Sequence, residues 1–339
     1  MSSDSTPRPR PKALLAFRAE TEPWLLTPET RARLDSLVEV VVTLREGEDW
    51  RPHQARLGEI SVVIGNWGVP RFTPELLAAM PALRIVCYAA GSVRDFVTPE
   101  FWQRGITLST AVAANARPTA TFAEAMILLS LKQTWFYLRN PRADWAYLGD
   151  TAASGVHRAT VGIIGLSRVG REVIRGLQRH EVRILAHDPT IDTAEAARVG
   201  VELTGLPELF AQSDVVSLHA PLLASTTGLV TGELLRRMRP NTTFVNTARG
   251  AIVREPELVA VLGERPDLTA VLDVTDPEPA PASSPLRRLK NVLLTPHIAG
   301  ARHREIELLM RGALDELSRH LRGEPLHYTL TEAAAALQA

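Results

Sequence analysis

The stretch Val161-Gly162-Ile163-Ile164-Gly165-Leu166-Ser167-Arg168-Val169-Gly170 decides the fold. A short apolar run reads as a buried strand, two spaced glycines follow it, and a helical pattern opens on the second. That strand–turn–helix setting is the one a G-x-G-x-x-G motif requires. Gly165 allows the tight turn, and Gly170 lets helix and strand pack closely. The first turn of the helix then offers backbone N–H groups, with a favourable dipole, to a pyrophosphate. Ser167 replaces the middle glycine and puts a side chain where backbone should approach the phosphates. Its hydroxyl is small and can itself hydrogen-bond a phosphate. Asp188 ends the next strand, Ala186-His187-Asp188-Pro189, eighteen residues beyond Gly170. This is near the spacing of the acid that takes the ribose hydroxyls of a dinucleotide. A carboxylate there repels a 2′-phosphate, and Pro189 and Thr190 supply no arginine to counter it. NAD is the expected cofactor, rather than NADP.

Outward from this motif, apolar runs recur at Val182–His187, Val215–Leu218, Thr243–Asn246, Leu268–Leu272 and Val292–Leu294. With Thr160–Ile164 they make six strands separated by amphipathic or polar segments, the pattern of a doubly wound nucleotide-binding domain. The first third of the chain carries a second α/β pattern, with strands expected at Ala13–Phe17, Val38–Val42, Ile60–Ile64 and Leu83–Ala89. Thr27-Pro28-Glu29, Thr73-Pro74-Glu75 and Thr98-Pro99-Glu100 are three matching helix starts: a capping hydroxyl, a proline at the first position, and an acid at the positive end of the dipole. A buried helix is expected over Ala120–Lys132, a loop over Asn140–Val156, and a last long helix over about Arg302–Arg322. The tail from Gly323 shows no strand partner.

The chain has 339 residues, more than one ordinary core, with 45% hydrophobic and 22% charged residues, as in an ordinary globular protein. Lys+Arg and Asp+Glu are both 38, so the formal charge is zero and the basic footprint of a nucleic-acid binder is missing. No apolar stretch is long enough to span a membrane, and Met1–Lys12 lacks the apolar core of a signal peptide, which makes the cytoplasm the expected location. The single cysteine, Cys87, lies in an apolar run and reads as a buried strand residue. No Cys/His cluster has metal-site spacing.

Three polar residues fall after strands in the second half of the nucleotide-binding pattern: Arg249 after Val245-Asn246-Thr247-Ala248, Glu278 within Asp273–Pro279, and His297 after Leu293-Leu294-Thr295-Pro296. Ligands of doubly wound sheets bind at the carboxyl ends of strands, so all three are placed to face one crevice. The types suit reduction of a 2-keto acid. A guanidinium grips carboxylate and carbonyl oxygens through a planar fork. A histidine donates the proton that the nascent alkoxide needs. A carboxylate beside it orients the ring.

On Val245–Gly250, Leu272–Pro279, Leu294–Gly300 and Val216–Leu222 the sequence resembles the D-isomer-specific 2-hydroxyacid dehydrogenases, over nearly the whole chain. The resemblance implies an α/β protein of two doubly wound parallel-sheet domains. A Rossmann nucleotide-binding domain (113–302) is inserted in a flavodoxin-like substrate domain (1–112 plus 303–339). It implies that Arg249 binds the substrate carboxylate and carbonyl, His297 is the acid/base, Glu278 pairs with His297, and Asp273 meets the nicotinamide carboxamide. The cofactor side comprises Gly165, Ser167, Arg168, Val169, Gly170, Asp188, His219, Ala220, Pro221, Thr226, Thr247, Ala248, Arg249, Asp273, His297 and Gly300. On the substrate side, Ala90-Gly91-Ser92 matches the family's carboxylate-binding turn and joins Arg249 and His297. Arg94, Trp67 and Trp145 stay open between substrate contact and packing or solvent. The family is usually dimeric, so a homodimer is expected, with a small 2-keto or 2-hydroxy acid as ligand.

Two alternatives remain. One is a phosphite-type dehydrogenase of the same fold; the related formate enzymes carry Gln where Glu278 stands. The other is an NAD-sensing scaffold like the corepressors of this fold, which retain the Arg/Glu/His set.

Overall fold

A computed structural model of the chain describes residues 9–139 and 155–336. Trp145 and most of the expected 140–156 loop lie outside the described residues. Two compact units are present. Among the described residues, one comprises 9–115 with 301–336, and the other 116–139 with 155–300.

The first unit holds a parallel five-stranded sheet: β1 (Lys12–Phe17), β2 (Glu39–Arg45), β3 (Ile60–Gly65), β4 (Ile85–Tyr88) and β5 (Thr107–Thr110). Their order, β2-β1-β3-β4-β5, is the flavodoxin-like arrangement. Thr27, Thr73 and Thr98 cap their helices as the sequence suggests, each hydroxyl accepting an N–H three residues on. One sheet face is covered by an apolar layer around Phe72, Leu76 and Phe101. The other is covered by the helix Ile306–Leu321, whose Leu309, Met310, Ala313, Leu314 and Leu317 pack on Leu15, Ile64, Ile85 and Cys87. Each of these leucine, isoleucine and methionine side chains withdrawn from water stabilises the unit by about 1.5–3 kcal/mol. The last helix therefore belongs to this unit although the whole second unit precedes it in sequence.

Strand β5 was not expected, because Thr107-Leu108-Ser109-Thr110 is short and largely polar. Its hydroxyls are nonetheless accommodated. The buried Glu316 accepts Ser109 Oγ (3.0 Å) together with the N–H groups of His327 (3.2 Å) and Tyr328 (2.9 Å). The tail also has a strand partner after all: Thr110 N–H donates to Tyr328 O, and Leu330 N–H to Leu108 O. The C-terminal segment thus covers a sheet edge that would otherwise be open.

The second unit holds a parallel seven-stranded sheet: β6 (Thr160–Ile164), β7 (Arg183–His187), β8 (Glu202–Leu203), β9 (Val215–Leu218), β10 (Thr243–Asn246), β11 (Thr269–Leu272) and β12 (Val292–Leu294). The order is β12-β11-β10-β9-β6-β7-β8, so the direction of winding reverses between β6 and β9. This is the switch point at which doubly wound sheets bind nucleotides. The two-residue β8 carries too little pattern to be read from sequence. The helix before this sheet runs over Val112–Leu131, starting eight residues ahead of the expected Ala120. Pro118 lies inside it, and a proline beyond the first turn reads in sequence as a helix boundary.

Candidate active site

The glycine turn is fixed by close backbone contacts. Gly165 has φ +92°, and a Cβ there would stand 2.5 Å from the Ala220 backbone. A Cβ on Gly170 would stand 2.2 Å from Gly165 O. Neither position accepts a side chain. Ser167 is not a defect in this turn. It is the N-cap of the helix Arg168–Leu177, its Oγ accepting the Gly170 N–H at 3.3 Å. Its side chain thus turns back to the helix and satisfies one of the orphan donors. Arg168 and Val169 open the helix, with Arg168 exposed.

Asp188, just past β7, braces the same turn. Oδ2 accepts Leu166 N–H at 2.7 Å, and Oδ1 accepts the Thr190 N–H and hydroxyl at 2.9 and 2.7 Å. Burial alone would raise its pKa. The Thr190 and Leu166 hydrogen bonds outweigh that and hold it below the ordinary aspartate value.

His219 and Thr247 each lie one residue beyond adjacent strands, β9 and β10. Both are buried, and their Nδ1 and Oγ1 atoms have no hydrogen-bond partner. The other nitrogen of His219, Nε2, is 2.9 Å from Ser217 Oγ. Burial lowers the His219 pKa to about 3, so the ring is neutral. Unsatisfied buried polar atoms are uncommon, and these two fall at the nucleotide edge of the sheet. With the glycine turn and Asp188 they fit a dinucleotide. In the neighbouring loop Thr226 donates to Pro221 O (2.6 Å) and accepts Leu223 N–H (2.8 Å), folding residues 221–226 on themselves.

Arg249, Glu278 and His297 come from the loops after β10, β11 and β12, which are neighbours in the sheet. Asn246 folds the first of these loops. Its Oδ1 accepts Ala248 N–H at 2.9 Å, and its Nδ2 donates to Arg249 O at 3.1 Å. Arg249 donates to Ala248 O at 2.7 Å. The next loop is held by Glu255, whose Oε2 accepts Asp276 N–H at 3.0 Å. Burial raises the Glu255 pKa, with that N–H pulling the other way. Glu278 Oε1 lies 2.5 Å from His297 Nδ1, so a carboxylate oxygen sits against one ring nitrogen of the histidine. His297 itself has φ +52°, and Asp273 is buried beneath its loop.

On the first unit, Ala90-Gly91-Ser92 follows β4, and Asn115 Nδ2 is 3.8 Å from where a Gly91 Cβ would be. Trp67 packs into the unit's apolar layers, and Arg94 is exposed. Cys87 is fully buried, and burial pushes its thiol pKa up, as suits a packing residue. Sequence reasoning missed Asn246, Glu255, Ser217 and Asn66. Asn66 is fully buried one residue past β3, with Nδ2 donating to Ala89 O at 2.5 Å and Oδ1 without a partner. Asn246 lay within a quoted motif. A polar residue directly after an apolar run was the available signal for Asn66. Among the described residues no cluster of metal-ligating groups occurs.

A glycine turn at the switch point, an acid beyond the second strand of the sheet, and an Arg/Glu/His set at the same edge define a dinucleotide-dependent oxidoreductase. The D-isomer specific 2-hydroxyacid dehydrogenase NAD binding domain matches residues 125–299. The chain belongs to the D-isomer-specific 2-hydroxyacid dehydrogenase family, as an NAD-dependent enzyme. It is 32% identical over 261 residues to the glyoxylate reductase of Korarchaeum cryptofilum, a match covering 74% of this chain and 76% of that protein. It is 30% identical over 282 residues to the D-3-phosphoglycerate dehydrogenase of Mycobacterium bovis, covering 81% of this chain but 52% of that one. The chain thus spans about half the length of that relative. Among solved structures, a phosphoglycerate oxidoreductase from Rhizobium etli matches with TM-score 0.78 at 25% identity, covering 95% of this chain and 98% of that one.

Proposed function

We propose that this enzyme interconverts a small 2-keto acid and its D-2-hydroxy acid, with His297 as acid/base, Glu278 as its partner and Arg249 as the substrate anchor. The observation that carries this reading is the 2.5 Å contact between Glu278 Oε1 and His297 Nδ1. It orients the ring through Nδ1, and Nε2 is the nitrogen assigned to proton exchange with the substrate oxygen. NAD(H), when bound, supplies or accepts the hydride. Arg249 offers a charged fork to the substrate carboxylate and carbonyl, so charge developing on the carbonyl oxygen meets a fixed cation. Gly91 and Ser92 are assigned as backbone donors to the carboxylate. Gly165, the first turn of the helix Arg168–Leu177 and Asp188 are assigned to the dinucleotide. His219, Ala220, Thr226, Thr247, Ala248 and Gly300 border it.

The glyoxylate and phosphoglycerate relatives favour a short substrate, with glyoxylate and hydroxypyruvate as the first two compounds to try. The test is loss of nicotinamide absorbance when protein and NADH meet a panel of 2-keto acids. Turnover on glyoxylate or hydroxypyruvate supports the reading. Silence across the panel with NADH bound would favour the sensing alternative.

A homodimer is part of the proposal. Leu129 and Leu138, 38% and 69% exposed on the helices Val112–Leu131 and Thr134–Arg139, are apolar side chains that a second copy would cover. Light scattering of the purified protein tests it, with a monomer mass as the contrary result.

A further inference from the structure

Asp273 is the first residue beyond β11 and is only 2% exposed. Its side chain serves the loop that carries His297. Thr295 Oγ1 donates to Oδ1 at 2.6 Å, Ile298 N–H donates to Oδ1 at 2.8 Å, and Ala299 N–H donates to Oδ2 at 2.8 Å. The backbone adds a fourth bond, from His297 N–H to Asp273 O at 2.9 Å. Residues on both sides of His297 are therefore tied to one buried carboxylate. A carboxylate accepts about four hydrogen bonds, so most of its capacity is spent here.

The loop needs such a tie. His297 has φ +52°, a conformation that L residues rarely adopt, and no glycine stands there to adopt it freely. A side chain stays in that region only when its surroundings over-determine it. We infer that Asp273 is a positioning residue: its carboxylate clamps residues 295–299 and holds His297 in the left-handed conformation that presents Nδ1 to Glu278. This inference rests on the reading of His297 as the acid/base. It differs from the role the family resemblance implies for Asp273, contact with the nicotinamide carboxamide.

The two roles separate on measurement. In Asp273→Asn one accepting oxygen becomes an N–H donor that meets an N–H or O–H of the loop. Turnover at saturating NADH should fall about 10²-fold, the scale of a small misplacement of a reacting group, while the Kd for NADH, read by nicotinamide fluorescence, stays within a few-fold. Thr295→Val should lower kcat about tenfold by removing one charge-assisted bond, and Thr295→Ser should restore it. In the free protein, hydrogen exchange at Ile298 and Ala299 should be slow in the wild type and fast in Asp273→Asn. The inference is overturned if Asp273→Asn weakens NADH binding strongly, keeps kcat at saturation and leaves those amides protected. It is likewise overturned if Thr295→Val and Thr295→Ser behave alike. Should Asp273→Asn not fold, the Thr295 pair decides. Should the wild type turn over no 2-keto acid, the acid/base reading of His297 fails, and slow or fast exchange in Asp273→Asn and Thr295→Val still settles the clamp.

Discussion

Gly250 lies so close to Thr275 that a Cβ on it would stand 2.0 Å from the Thr275 carbonyl carbon and 2.1 Å from its oxygen. The turn that carries Arg249 is thereby pressed against the loop that leads to Glu278. Glu255 reinforces the junction through the Asp276 N–H. The loops that carry Arg249 and Glu278 thus meet at one backbone contact.

Gly250→Ala should move both loops at once. The added methyl meets backbone rather than a flexible side chain, so overpacking should cost about 1–3 kcal/mol or more. Thermal unfolding checks the stability, and kcat should fall beyond what the lowered Tm explains. An unchanged Tm with normal turnover would mean that the two loops part without penalty.

Asp188→Ala should act on the cofactor in two ways. Removing the carboxylate should narrow the preference for NADH over NADPH, because repulsion of a 2′-phosphate is lost. It also strips Leu166 N–H and Thr190 of their acceptor, so NADH itself should bind more weakly. The ratio of kcat/KM for the two cofactors is the measurement. An unchanged ratio would place the reading of the ribose elsewhere.

His219 should make the fold sensitive to acid. Its pKa is lowered to about 3 in the folded protein by burial, against an ordinary value of 6.5. Between these values the unfolded chain binds a proton that the folded chain does not. Stability is therefore full above about pH 6.5 and declines as pH falls toward 3. Asp188, with its pKa also lowered, adds loss in the same direction at the acid end. Tm against pH should fall below pH 6.5 in the wild type and fall less steeply in His219→Gln. Parallel curves would show that His219 does not drive the decline.

Much of this was legible in the sequence because strong local signals coincide. Thr27, Thr73 and Thr98 cap where Thr-Pro-Glu says they should, and β6 with its glycine turn follows from Val161–Gly170. Signals failed where they were short or masked by one residue. Thr107–Thr110 looks too polar for a strand until Glu316 and the C-terminal segment meet its groups. Pro118 hid the start of the helix Val112–Leu131. Ser167 was read as a small side chain able to bond a phosphate, and its role as the helix N-cap was missed, since a linear motif does not say where Oγ points. Glu278 and His297 were found as types at strand ends, and their pairing was expected from the family resemblance rather than from spacing. The left-handed backbone of His297 and the clamp of Asp273 depend on hydrogen bonds between β11 and β12 loops, which spacing alone does not reveal.

The most direct test of the account compares wild type with His297→Ala, using NADH and the best 2-keto acid found. The account predicts a loss of kcat of roughly 10²–10⁴-fold, the range for a removed general acid, with NADH binding retained. Near-normal turnover in His297→Ala would remove His297 from the chemistry and contradict the account.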